Sequence, residues 1–97
     1  MSVVIIGGND RMTRLYEDTC RSYGCKAKVF IHLKSEFRRK IGTPDLVILF
    51  TSTVSHKMVN CALCEAKRCN AIVERSHSSS LSALQNSLQC HCAGTAS

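Results

Sequence analysis

The chain is poor in aromatic side chains, with two Tyr and three Phe among 97 residues. These do not interleave with its basic residues, so the stacking that single-stranded nucleic acid relies on has little support. Long apolar runs are missing too. The longest, Leu46 to Phe50, is far short of the roughly 20 residues a membrane helix needs. No basic segment leading into an apolar core and a cleavage site stands at the start. The expected compartment is therefore the cytoplasm, with no membrane partner. Several catalytic signatures are also absent. There is no GKS or GKT for a nucleotide-hydrolysing P-loop, no GxSxG nucleophile elbow, and no second CxxC. Glu65 stands where covalent haem attachment through CxxCH would need a histidine. Catalysis beyond redox or gas chemistry has no support in these residues.

What is present is a regular alternation of short apolar strands and amphipathic helices. With 44% hydrophobic residues, a chain of this length forms one domain that buries roughly 60 to 65% of its unfolded surface. Ser2 to Ile6 reads as a buried strand ended by Gly7 and Gly8. A helix follows, with Met12, Leu15, Tyr16, Thr19 and Tyr23 on its inner face and Gly24 as its stop. Lys26 to Leu33 makes a second strand. Ser35 sits where an N-cap would, before a short helix carrying Phe37 and Ile41 and closed by Gly42. Asp45 to Phe50, a continuous apolar run after the only proline, reads as a strand covered on both faces. Ser55 to Cys69 is the best helix, with Met58, Val59, Ala62, Leu63 and Ala66 inward. Ala71 to Glu74 is a fourth strand, and Ser79 or Ser80 caps a last helix carrying Leu81, Leu84 and Leu88. Such alternation implies right-handed crossovers and a parallel sheet. The expected fold is a three-layer Rossmann-like or flavodoxin-like α/β domain over 1–97, with strand order 2-1-3-4, helices on both faces and a flexible tail over 90–97.

The net charge of +6 favours an anionic partner, and a solvated basic surface is the competing explanation. The seven cysteines are odd in number and several fall inside expected helices or strands, which fits reduced thiols better than a disulfide scaffold. Cys61 and Cys64 form a CxxC that points nearly opposite the apolar face of its helix. With Cys90, His91 and Cys92 they could make a zinc site, though the motif lacks the turn of a zinc knuckle. A thioredoxin-type motif belongs at a helix start, and this one is mid-helix. Cys69 is expected in the packing.

In an open parallel sheet, ligands bind outside the carboxyl ends of the strands, where strand order reverses. Three loops qualify: Gly7 to Asp10, Thr51 to His56 and Arg75 to Ser80. Gly7 and Gly8 could offer backbone N–H groups to an anion, or serve only backbone geometry. His56 and His77 lie on two of these loops. A histidine near a helix start is often a surface or capping residue. Two on one rim, among Ser52, Thr53, Ser55, Ser79 and Ser80 and beside Arg75, could hold a metal or haem iron, or a phosphate.

VVIIGGN at the start, PDLVILFTSTVSHKMV in the middle and HSSSLSAL near the end together resemble a bacterial domain-of-unknown-function family, family 2325. Some of its members are loosely labelled dihydroorotate dehydrogenase; a chain this short has no room for a flavin barrel. The resemblance covers about Val3 to Leu88. It implies a small homo-oligomer and noncovalent b-type haem binding dioxygen or a related gas. His56 carries over as the histidine of V-S-H, and His77 as the one before the serine pair. Where other branches have a His-rich segment after the second strand, this chain has only His32, which leaves that residue without a matching role. A domain this small cannot enclose haem alone, so a dimer interface on the rim is expected to exclude water. Arg14, Arg75 or the N–H groups of Gly8 and Asn9 would take the propionates, with Ser55 and Ser79 beside the cofactor.

The leading expectation is thus a haem protein, with His56 as axial ligand, His77 as alternative ligand or distal group, and serine hydroxyls available to the gas. The second is a regulatory module that binds a phosphorylated ligand or nucleic acid on a basic rim, nucleic acid being disfavoured by the aromatic content. The third is a zinc or thiol-redox module using Cys61 and Cys64.

Overall fold

A computed structural model describes residues 2–31 and 42–91. Its elements are β1 (Ser2–Ile6), a 3-10 turn (Asp10–Met12), α1 (Thr13–Ser22), β2 (Lys26–Phe30), β3 (Leu46–Phe50), α2 (His56–Arg68), β4 (Ile72–Ser76) and α3 (Leu81–His91). The four strands form one sheet in the order β2-β1-β3-β4, and every neighbouring pair is parallel. This is the expected topology.

The arrangement follows from the apolar runs. All five residues of β3 are buried, because the strand is covered on both faces. Leu46, Ile48 and Phe50 pack with Tyr16 and Cys20 of α1 and Leu84 and Leu88 of α3. Val47 and Leu49 pack with Met58, Ala62 and Ala66 of α2. β1 divides in the same way, Val3 and Ile5 to one side and Val4 and Ile6 to the other. Full burial of such a side chain is worth about 1.5–3 kcal/mol. The sheet therefore separates α1 and α3 from α2.

Helix ends obey local chemistry. After α1, Gly24 adopts φ +76°; its N–H donates to Arg21 O, and the Cys25 N–H to Cys20 O, which closes the helix by the left-handed C-terminal motif. Asn70, at φ 61°, does the same for α2, with its own N–H on Lys67 O and that of Ala71 on Ala66 O. Asparagine tolerates this conformation better than most side chains. The Ser55 hydroxyl accepts from the Met58 N–H and caps α2, while Ser80, of the two serines offered, accepts from the Ala83 N–H at the start of α3.

Four details depart from expectation. Leu15 is 47% exposed, because Tyr16 and Cys20, in line with Met12 just before the helix, form the inward seam of α1 and Leu15 lies about a quarter turn off it. Cys61 does not point away from the core but packs against the α2 side of it. β2 ends at Phe30; His32, Leu33 and the short helix expected on Ser35, Phe37 and Ile41 lie outside the described residues. Cys90 and His91 belong to α3 rather than to a tail, held there by the His91 Nε2 to Glu74 Oε2 contact at 3.0 Å.

Candidate functional site

The reversal of strand order falls between β1 and β3, so the loops after these strands face each other. They are in contact. Gly7 and Gly8 have φ of +95° and +99°, a region that strongly favours glycine. Neither has room for a side chain: a Cβ on Gly7 would lie 2.5 Å from Val54 Cγ1, and one on Gly8 would lie 2.7 Å from the Tyr16 ring. Both glycines thus serve backbone geometry and close packing. The Gly8 N–H donates to Thr53 Oγ1 at 2.7 Å, and that hydroxyl donates to Phe50 O at 3.0 Å. An anion at the Gly8 amide has to displace Thr53 first. Asn9 is engaged as well, its side-chain oxygen accepting from the Arg11 N–H and its own N–H approaching Tyr16 Oη at 3.5 Å.

The third loop joins this corner through Tyr16, whose hydroxyl donates to Ser79 O at 2.6 Å. β4 lies beside β3, and the Thr51 N–H donates to Ser76 O at 2.9 Å. The serines at and after the end of β4 bond among themselves, Ser76 Oγ to Ser78 O and Ser78 Oγ to Ser80 Oγ. The three loops named from the sequence thus share one rim.

His56 and His77 stand on that rim, both exposed. Neither caps a helix, since Ser55 and Ser80 do so. Neither imidazole has a hydrogen-bond or ion-pair partner among the described residues. His91, by contrast, is tied to Glu74. Ser55 is occupied as a cap but keeps its own proton to donate. Arg14 is exposed on α1, across the sheet from α2. Arg75 is exposed near the end of β4 and turns to the α2 side, where it lines a groove with Asn60 and Cys64. The rim thus gathers Gly8, Asn9, Ser55, His56, His77 and Ser79, with Arg14 and Arg75 on its two flanks.

The described members of the expected zinc site are not gathered, and Cys92 lies outside the described residues. Cys61 and Cys64 ride on α2, Cys90 and His91 on α3, and the sheet lies between. Among the described residues no three His, Cys, Asp or Glu side chains are placed to hold a metal ion. Missed from the sequence was the burial of Glu65, 5% exposed and paired with Arg68 at 2.6 Å. Also missed was the α2–β4 groove; the alternation of Ala71, Val73 and Arg75 beside Lys67 was the signal that could have revealed it.

A doubly wound parallel α/β domain with a polar, histidine-bearing rim at its switch point is the class of protein these features define. The chain belongs to the DUF2325 family, described as uncharacterized protein conserved in bacteria, whose model matches residues 2–91. No curated protein and no solved structure matches it significantly. No helix among the described residues is long and apolar enough to cross a membrane.

Proposed function

We propose that the rim carries a noncovalent b-type haem ligated by His56, close to a homodimer interface, and that the protein binds dioxygen or a related gas there. The supporting observation is the state of the two histidines. Both imidazoles are exposed, His56 at the start of α2 and His77 in the loop after β4, without a partner among the described residues, while other groups do the capping. A neutral imidazole nitrogen with no structural duty suits a transition-metal ligand. His56 begins α2, where the helix fixes its backbone, so it is the better-held ligand; His77, in a loop, serves as the alternative or distal group. The bound group would supply reversible gas ligation at iron. Ser55 and Ser79 offer hydrogen bonds beside it, and Arg14 and Arg75 offer charge to carboxylates on the two flanks. A macrocycle held by an exposed histidine would need shielding from water, which a second copy of the chain would supply. Absorption spectroscopy of the protein mixed with haemin tests this: a sharp Soret band supports it, and the spectrum of free haemin rules it out.

A second reading has its own observation. Arg11, Arg14, Lys57 and Arg75 are all exposed around the rim, which suits a phosphorylated ligand. Such binding would weaken steeply as salt rises.

A further inference from the structure

β4 is an edge strand, and among the described residues nothing pairs with its outer edge. The Ile72 N–H donates to Asp45 O and Ser76 O accepts from the Thr51 N–H, so the even-numbered residues turn their backbone groups toward β3. Val73 and Arg75 therefore turn theirs outward, and no other strand among the described residues pairs with them. The side chains of the same two residues point to the α2 face, as their register opposite Val47 and Leu49 requires. There they line a groove of about 550 Å³ against α2. Because α2 runs back from the end of β3 to the start of β4, Lys67 lies at the Ala71 end of the groove and Asn60 at the Arg75 end. Leu63 and Val73 form its apolar middle. The groove thus reads cation, apolar floor, cation along the strand edge, with no acidic residue among the described residues that line it.

We infer that this edge binds an extended acidic peptide segment, which adds to the sheet as a fifth strand. Its pattern follows from strand spacing. Ala71 to Arg75 spans four residues, about 13 Å along a strand. Side chains on one face recur every second residue. A segment with carboxylates four apart and an apolar residue midway meets Lys67, the Leu63–Val73 floor and Arg75 in turn. The pattern reads the same in both chain directions. A second copy of the chain does not supply it, because no two of the seven acidic residues are four apart. The exposed Ile72, on the other face of β4, would be covered by the intervening residues of the partner.

The test uses a terminally blocked, fluorescent peptide with the core Glu-Thr-Val-Thr-Glu and a control of identical composition and charge, Glu-Glu-Val-Thr-Thr, titrated with the whole protein. The first peptide is expected to bind tighter by about 1.4- to 5-fold, the range for one exposed ion pair. Lys67→Glu combined with Arg75→Glu should remove the preference; both side chains are exposed, so folding should be unaffected. Hydrogen exchange at the Val73 and Arg75 amides should slow on binding. Equal affinity for the two peptides, no binding, or unchanged exchange at these amides would overturn the proposal. So would slowing that appears with rising protein concentration and no peptide, because a second copy would then hold the edge.

Discussion

The Tyr16 hydroxyl donates to the Ser79 carbonyl at 2.6 Å across the rim, which fastens α1 to the loop that leads into α3. Tyr16 is fully buried, its ring packs on Phe50 with centroids 5.4 Å apart, and its edge lies where a side chain on Gly8 would go. One residue therefore joins two of the three rim loops. Tyr16→Phe keeps the ring but leaves the carbonyl without this donor. It should lower stability by about 1–2 kcal/mol, seen as a lower urea midpoint at unchanged slope. An unchanged midpoint would show that the bond carries no weight.

Two glycines separate backbone strain from crowding. Gly24 and Gly8 both have positive φ, but a Cβ on Gly24 meets nothing within 4 Å, whereas one on Gly8 meets the Tyr16 ring. Gly24→Ala should cost about 1–2 kcal/mol, the backbone term alone. Gly8→Ala should cost more by a further ~1–3 kcal/mol of overpacking. Equal losses in chemical denaturation would contradict the crowding at Gly8.

The strand order, the two-sided burial of β3 and the location of the rim were legible because each rests on a continuous apolar run or on glycine after a strand. Those signals are local in the chain. The rest depends on long-range geometry. That Gly8 gives its amide to Thr53, 45 residues away, cannot be read from GGND, and neither can the direction of Cys61, set by how α2 rolls onto Val47 and Leu49. Glu65 looks like a surface residue in NCALCEAKR, yet it faces inward with Met58, Ala62 and Ala66. The rim histidines were identified by residue type, whereas their freedom from capping required the hydrogen bonds of Ser55 and Ser80.

Histidines held for a ligand differ from histidines held for the fold. His56→Ala and His77→Ala should each change stability by no more than about 0.5 kcal/mol, as surface changes without partners do. Ser55→Ala, one residue from His56, should cost about 1 kcal/mol through loss of the cap. Thermal unfolding of the three variants without added ligand is the check. A His56→Ala loss as large as that of Ser55→Ala would give His56 a structural role.

Thiol accessibility reports the layer order. Cys64 and Cys90 are exposed, and Cys20 and Cys25 are buried. Labelling with an aromatic disulfide reagent should modify Cys64 and Cys90 quickly, and Cys20 and Cys25 only on unfolding. Peptide mapping after brief labelling identifies the sites, and early modification of Cys20 would contradict the packing of α1 on the sheet.

Ligation by His56 is the central claim, and chemical rescue tests it most directly. His56→Gly leaves a gap that free imidazole can occupy, so the Soret band of the haemin-reconstituted variant should be weak and displaced, and added imidazole should return it to the wild-type position. A His56→Gly spectrum identical to wild type, with or without imidazole, would contradict the account.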